Sequence, residues 1–167
     1  GFSKEPLAAG GIIELGAGAN PTPGYFHCDI RRHPHIDVVC DSRFLPFCEN
    51  SCSEVYLRHH LEHFTEKEGE LVLREILRVL RPGGSVYIIV PNIEFHVKQF
   101  YEGDRRWAMA GFWGWQNNDY DLHKWGYNYE VLQEKLVSAG FINIINLTAA
   151  PGSKETAENH VEVKAEK

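Results

Sequence analysis

The chain has 167 residues, about the length of one domain, of which 43% are hydrophobic and 24% are charged. These fractions are ordinary for a globular protein and argue against disordered, collagen-like and membrane classes. The net charge of −6 disfavours broad electrostatic binding to nucleic acid and favours a small neutral or cationic substrate.

The chain contains no apolar run near the ~20 residues that a membrane span requires, and no signal-peptide pattern at its start. We therefore expect a cytoplasmic protein with one domain over residues 1–167. Because the sequence starts at Gly1, it carries a tag remnant or is a module of a longer polypeptide, and both alternatives stay open. None of the cysteines forms a Cys-x-x-Cys pair, so we expect free, reduced thiols at Cys28, Cys40, Cys48 and Cys52.

The first predicted element is a strand that runs into a glycine turn. Ile12, Ile13 and Leu15 suit a buried strand. Gly16 and Gly18 allow positive φ and let a ligand approach the backbone closely. At the carboxyl end of the first strand of an open α/β sheet, such a turn predicts a ligand site.

Two further predicted strands, at residues 24–30 and 36–41, each carry an aspartate at the carboxyl end, Asp29 and Asp41. The segment between the first two strands is short and contains two prolines, which oppose a helix. We therefore predict a shortened or missing first crossover helix.

A fourth strand, over residues 54–57, leads into a histidine-rich segment, residues 58–64. Thr65 and Glu68 then form a capping box for a helix, which residues 81–84 are expected to end. The nearly continuous apolar run over residues 85–91 predicts a central strand covered on both faces.

Residues 92–127 are aromatic and polar at once. After a predicted helix over residues 93–101, three of the four tryptophans fall within residues 107–115. This composition predicts a lid or pocket wall, and a packed surface loop is the alternative. The candidate substrate-binding residues are Trp113, Gln116, Asp119, His123, Lys124 and Trp125.

The last predicted helix, residues 129–139, is capped by Asn128, ended by Gly140 and presents Val131, Leu132, Leu136 and Val137 to the sheet. Strands over residues 141–148 and 160–165 follow, joined by a polar turn at 151–159, and the last strand alternates as an edge strand does. The order of elements predicts a doubly wound, mainly parallel α/β sheet with an antiparallel C-terminal edge hairpin.

Three acidic residues indicate the ligand. The turn lacks the third glycine of the dinucleotide fingerprint, and the carboxylate of Glu14 would repel a pyrophosphate. The same carboxylate would attract an ammonium or sulfonium group, while Asp29 suits ribose hydroxyls and Asp41 suits an adenine amino group. We infer a positively charged adenosine derivative as the ligand.

Five motifs in register resemble the class I S-adenosylmethionine-dependent methyltransferases over residues 11–92, with a later segment extending the match to about residue 142. They are Glu14-Leu15-Gly16-Ala17-Gly18, Asp29, Asp41 with Leu45-Pro46-Phe47, Leu61-Glu62-His63, and residues 77–84. The resemblance implies a Rossmann-like seven-stranded sheet with a reversed last strand, S-adenosylmethionine as cofactor, and methyl transfer. The nearest type is the small methyltransferase of glycan and polysaccharide pathways, which implies O-methylation of a sugar hydroxyl, with a non-sugar metabolite as the alternative.

The resemblance also implies roles for individual residues. Arg58 departs from the common pattern, which has a small residue there. The implied cofactor contacts are Glu14, Gly16 and Gly18 for the methionine part, Asp29 for the ribose, Asp41, Ser42 and Arg43 for the adenine, Arg58 or His59 beside the methyl donor, and Ala17 and Ile30 elsewhere in the cofactor site.

Methyl transfer to a hydroxyl needs a base, and histidine is the natural base near neutral pH. The candidates are His59, then His123, then His63, with Asp121 orienting the acceptor. We expect no metal, because the order His-Glu-x-x-His is absent. A divalent ion at Asp119, Asp121 and Gln116 is the minor alternative.

Two other functions compete with this prediction. The first is a non-catalytic module that binds S-adenosylmethionine or another adenosine ligand and uses the aromatic segment to contact a partner. The second is an NAD-dependent oxidoreductase, which Glu14 and the missing third glycine disfavour.

Overall fold

The computed structural model describes residues 11–148 and 158–167. Its strands are β1 (Gly11–Leu15), β2 (Phe26–Asp29), β3 (Val38–Val39), β4 (Cys52–Arg58), β5 (Leu80–Pro91), β6 (Ile142–Asn146) and β7 (His160–Glu166). Its α-helices are α1 (Glu66–Val79), α2 (Ile93–Glu102), α3 (Arg105–Trp113) and α4 (Tyr129–Ala139). A 3₁₀ turn over Leu61–His63 precedes α1.

The seven strands form one sheet in the order β3-β2-β1-β4-β5-β7-β6. Every pairing among the first five strands is parallel, and β7 runs antiparallel to both of its neighbours. The predicted α/β fold with an antiparallel C-terminal hairpin is confirmed. In this arrangement the carboxyl ends of β1, β2, β3 and β4 meet at one edge of the sheet.

The connection from β1 to β2 contains turns and no helix, which confirms the predicted loss of the first crossover helix. The connection is instead fastened to β1 by Glu14. Its carboxylate accepts a hydrogen bond from the backbone N–H of Thr22 and another from the Thr22 hydroxyl, each at 2.7 Å. The two prolines in the connection have no backbone N–H to donate and cannot support a helix. The loop is therefore held in place by its hydrogen bonds to the side chain of Glu14.

Helix α1 begins with the predicted capping box of Thr65 and Glu68. The residues after it differ from expectation, because β5 starts directly at Leu80 and residues 81–84 are an irregular stretch inside that strand. The partner register shifts there, from Cys52 opposite Leu80 to Glu54 opposite Ser85. A bulge of this kind absorbs extra residues without ending the strand.

Three further expectations about the second half of the chain need correction. Residues 105–113 of the aromatic segment are the helix α3, held against α2 by an edge-to-face contact of Phe95 with Trp107.

The strand at 160–166 lies inside the sheet, between β5 and β6, and β6 is the edge strand. Val137 is 59% exposed, because α4 packs through Leu132 and Leu136 and the next residue points away from that face. Most of the predicted polar turn at 151–159 lies outside the described residues.

The core consists of apolar side chains from the central strands and from helices α1 and α4. Fully buried members include Ile13, Leu57, Ile76, Ile88 and Leu136. None of the helices in the described ranges is long and apolar enough to cross a bilayer.

Replacing Leu136 by alanine tests the packing of α4. Leu136 is fully buried, so we expect a loss of about 2 to 5 kcal/mol in the free energy of unfolding, measured by urea denaturation. The matched control is Val137→Ala on the same helix, for which we expect a change within about 0.5 kcal/mol. Equal losses in the two variants would contradict this packing.

Candidate active site

Two adjoining cavities lie at the carboxyl edge of the sheet. The larger cavity, about 250 Å³, is lined by the ends of β1 to β4 together with Tyr120, Leu122 and other residues of the loop after α3. The smaller cavity, about 210 Å³, lies between the start of α2, the end of α3 and the same loop. Lys124 lines both cavities, so the loop forms the wall between them.

The turn after β1 is packed against the ring of His60. Gly16 has φ +68°, and a Cβ added there would lie 2.1 Å from His60 Nδ1. On its other side, the ring forms a 2.8 Å hydrogen bond with the hydroxyl of Ser42. Burial lowers the pKa of His60 to about 4, so the ring is neutral at pH 7. It links the ends of β1, β3 and β4 without adding charge to the larger cavity.

Asp29, at the end of β2, has a nearly buried carboxylate that lines the larger cavity. It accepts hydrogen bonds from the backbone N–H of Gly18 at 2.9 Å and of Arg31 at 2.7 Å. Arg31 Nε also lies 3.4 Å from Oδ1, so the further acceptor position of this carboxylate is on Oδ2, which has one bond. Asp29 therefore fixes the glycine turn and still has capacity for ligand hydroxyls.

Asp41 is engaged by Arg43 on the wall of the larger cavity. The guanidinium donates to Asp41 from Nε at 3.0 Å and from Nη2 at 2.6 Å, and its Nη1 contacts Glu68 at the start of α1. Hydrogen bonding from Arg43 lowers the pKa of Asp41. Asp41, Ser42 and Arg43, the residues predicted to contact adenine, all line this cavity. The carboxylate of Asp41 is already paired with Arg43.

Other predicted cofactor residues differ in position. Ile30 and His59 line the larger cavity, and Ala17 is buried, with its N–H donating to the carbonyl of Cys28. Glu14 is 2% exposed, accepts hydrogen bonds from Thr22 and is outside the described lining of both cavities. Arg58 is partly buried at the end of β4 and is outside the described lining of both cavities.

The predicted acceptor residues divide between the two cavities. Trp113, His123 and Trp125 line the smaller cavity, and Asp119 lines the larger one. Two others are not brought to either described lining. Gln116 is exposed with φ +56°, and Asp121 closes a local turn by accepting hydrogen bonds from the N–H and side-chain amide of Asn117.

The least expected feature is the buried carboxylate of Glu62, which lines the smaller cavity. Glu62 is 1% exposed, and neither carboxylate oxygen has a hydrogen-bond partner among the described residues. His59 Nδ1 lies 3.5 Å from Oε1, close enough for an ion pair. Burial alone would raise the pKa of Glu62, but the imidazoles of His59, His63 and His123 outweigh it and lower the pKa. The side chain is an anion at pH 7.

The sequence-based prediction did not indicate that His60, Glu62 and Tyr120 belong to the site. The signal for the first two was the density of histidines in residues 58–64, which marks a site but does not tell which rings face it. Tyr120 lines the larger cavity, with the guanidinium of Arg31 5.3 Å from its ring centre. Only the folded loop brings these two residues together.

Residues 18–88 match a family model described as a methyltransferase domain. No curated protein matches the chain in sequence. The matched segment contains the strand-end aspartates, the histidine-rich segment and the 3₁₀ turn, so it covers most of the larger cavity.

Solved structures share the fold at low sequence identity. A SAM-dependent methyltransferase of Thermotoga maritima, described as a possible histamine N-methyltransferase, is 16% identical with a TM-score of 0.65, over 96% of this chain and 84% of its own. The 1,6-didemethyltoxoflavin N1-methyltransferase of Burkholderia thailandensis, with bound S-adenosylhomocysteine, is 18% identical with a TM-score of 0.62, over 95% and 71%. Human N-acetylserotonin methyltransferase, in complex with SAM, is 16% identical with a TM-score of 0.61, over 93% and 47%.

The chain therefore has the seven-stranded, Rossmann-like fold of the class I methyltransferases. Two of these neighbours, the human and the Burkholderia thailandensis proteins, hold SAM or S-adenosylhomocysteine in their structures. The neighbours include proteins described as N-methyltransferases and a carbon methyltransferase.

The fit of His60 against Gly16 is testable by adding a single methyl group. Gly16→Ala places a Cβ into the imidazole, whereas Gly24→Ala meets nothing within 4 Å, although Gly24 also has a positive φ of +91°. We expect Gly24→Ala to cost about 1 to 2 kcal/mol of unfolding free energy, because of backbone strain alone. Gly16→Ala should cost at least about 1 kcal/mol more, since overpacking adds to the strain. Urea denaturation measures both, and equal losses would show that His60 does not occupy this space.

Proposed function

We propose that the chain transfers a methyl group from S-adenosylmethionine to a hydroxyl group of a sugar or a related small molecule. The observation that carries the proposal is the position of Asp29. Its nearly buried carboxylate lies at the end of β2, holds the glycine turn through the N–H of Gly18, and opens onto the larger cavity. This is where an acidic residue binds ribose hydroxyls in α/β nucleotide sites.

The larger cavity is the proposed cofactor site. The methionine part would lie along the turn at residues 16–18, and the ribose would bind Asp29. The adenine would lie toward Asp41 and Ser42, where Ile30 and Phe64 offer apolar surface.

His59 is the proposed catalytic base. The ring lines the larger cavity, and Nδ1 faces the carboxylate of Glu62, which leaves Nε2 for a substrate proton. The backbone of His59 has φ +50° and its N–H donates to the carbonyl of Ile89 at 2.9 Å. A left-handed conformation in a residue other than glycine is uncommon and costs energy, so it supports a functional reason for the position of this ring.

In the proposed reaction the acceptor oxygen attacks the methyl carbon in line with the C–S bond. The C–S bond breaks, its electron pair stays on sulfur to give S-adenosylhomocysteine, and His59 takes the hydroxyl proton. The protein contributes mainly proximity and orientation, which are large effects in a displacement reaction, and general-base assistance.

The smaller cavity is the proposed acceptor site. Trp113 and Trp125 present partly exposed rings there, next to the polar groups of His123 and Lys124. Flat aromatic faces beside hydrogen-bonding groups suit a sugar, whose ring has apolar C–H faces and polar edges.

The four cysteines are free thiols, which fits a reducing compartment and supports the cytoplasm as the proposed location.

Replacing Asp29 tests the cofactor site. We expect Asp29→Asn to weaken the binding of S-adenosylhomocysteine by about 10- to 100-fold in calorimetry, because a charged acceptor of two ribose hydroxyls is lost. Asp37→Asn is the matched control, since Asp37 is exposed, lies outside the described lining of both cavities and accepts from the N–H of His27. Wild-type protein that binds neither S-adenosylmethionine nor S-adenosylhomocysteine would contradict the proposed function.

Replacing His59 tests the chemical step. With a sugar acceptor found by screening S-adenosylhomocysteine release over sugars, phenols, amines and thiols, we expect His59→Ala to lower kcat by about 10²- to 10⁴-fold. Its binding of S-adenosylhomocysteine should remain within a few-fold of wild type. His35→Ala, at an exposed position outside the described lining of both cavities, is the control and should keep full turnover.

Three outcomes of this screen are decisive. Turnover of amines alone would replace the O-methyltransferase proposal by an N-methyltransferase. Cofactor binding without turnover of any acceptor would favour the non-catalytic module. Unchanged kcat in His59→Ala would remove His59 as the base.

A further inference from the structure

We propose that Glu62, His63 and His123 form a site for one divalent metal ion, with Zn²⁺ as the best-fitting ion, between the two cavities. One ligand atom from each of the three side chains lies within 4.8 Å of the other two. His63 lines the larger cavity, whereas Glu62 and His123 line the smaller one. This differs from the sequence-based expectation of no metal, which rested on the absence of the order His-Glu-x-x-His.

Glu62 supplies the first argument. Its carboxylate is 1% exposed, and neither oxygen has a hydrogen-bond partner among the described residues. An anion in that position is costly unless it is paired or coordinates a metal. Its nearest cationic candidates are imidazoles, and His59 faces only one of the two oxygens, Oε1. The second oxygen, Oε2, has no hydrogen bond among the described residues, and an ion held also by His63 and His123 would pair with it.

The two histidines are already oriented as metal ligands. His63 Nδ1 lies 3.0 Å from the carbonyl oxygen of Leu122, and His123 Nδ1 lies 2.9 Å from that of Gly111. A carbonyl only accepts, so each Nδ1 carries a proton and donates, and the neutral form of each ring would have its lone pair on Nε2. Fixing the tautomer by such a bond to a backbone carbonyl is the usual arrangement around metal-bound histidine.

Backbone hydrogen bonds hold the three ligands together. The carbonyl of Glu62 accepts from the N–H groups of Lys124 at 2.8 Å and Trp125 at 3.3 Å. These bonds fasten the loop that carries His123 to the 3₁₀ turn that carries Glu62 and His63. The rings of His63 and His123 lie edge to face with their centres 5.1 Å apart. The site is therefore largely formed before any ion arrives.

Two imidazoles and one carboxylate are a ligand set that suits Zn²⁺, which commonly keeps a fourth position open when it has three protein ligands. The open position would face the smaller cavity. Resting on the proposed function, the acceptor hydroxyl would occupy that position, lose its proton more easily there, and attack the methyl carbon as described above. The ion would thus fix the acceptor oxygen between the two cavities.

Metal binding is tested on the untagged, full chain after removal of metal by a chelator and dialysis. We expect isothermal titration with Zn²⁺ to give one ion per chain. Glu62→Gln, His63→Gln and His123→Gln should each weaken Zn²⁺ binding by about 100-fold or more, since even outer-shell changes at such sites cost 10- to 100-fold. The matched controls are Glu49→Gln and His35→Ala, at exposed positions outside the described lining of both cavities, and both should bind Zn²⁺ as wild type does.

Circular dichroism of every variant verifies that the fold is intact, and Co²⁺ in place of Zn²⁺ gives a visible spectrum that His123→Gln should abolish. Zn²⁺ binding that survives in Glu62→Gln and His123→Gln would overturn the site, as would its absence in wild type or a preference for Mg²⁺. Calorimetry with S-adenosylhomocysteine separates the two proposals. If the wild-type protein binds S-adenosylhomocysteine but does not bind Zn²⁺, the metal site alone is overturned. If it binds Zn²⁺ but does not bind S-adenosylhomocysteine, the proposed function alone is overturned.

Discussion

The contact between Gly16 and His60 joins the parts of the larger cavity. A strand end, a glycine turn and the histidine-rich segment come from distant parts of the sequence, and they meet because the imidazole fills the space that a Cβ would take at Gly16. The same ring reaches the hydroxyl of Ser42 beyond β3. Since burial keeps the ring neutral, it connects three strand ends and adds no charge to the cavity.

A second constraint acts where the two cavities meet. Glu62 is held on a 3₁₀ turn whose backbone carbonyl also holds the loop of the acceptor wall. Its carboxylate is buried without a hydrogen bond among the described residues, and three histidines surround it. One carboxylate thus bears on both proposals: it orients His59 as the base, and it supplies the anionic ligand of the metal site. In the proposed reaction, this one turn would connect the donor side to the acceptor side.

The fold was largely predictable because its strongest signals are local. The capping box at Thr65, the helix between Asn128 and Gly140 and the apolar run of β5 each depend on neighbours in sequence. The position of β7 inside the sheet was not predictable, because strand order is decided by contacts between distant segments. Val137 was misplaced because apolar character alone does not tell which side of a short helix is covered.

The site divides in the same way. The aspartates at strand ends could be placed from sequence, since parallel strands bring their carboxyl ends to one edge. The partners of Glu14, Asp41 and Glu62 could not, because a carboxylate has no sequence signal for what it will contact. Glu14 accepts hydrogen bonds from Thr22 and Asp41 accepts them from Arg43. Glu62 faces His59 instead.

A crystal structure with S-adenosylhomocysteine bound tests the central claim most directly. The account predicts the ribose hydroxyls on the carboxylate of Asp29, the amino-acid part along the turn at Gly16, and the sulfur directed past His59 toward the smaller cavity. A nucleoside bound elsewhere, or a sulfur directed away from Trp113 and His123, would contradict it.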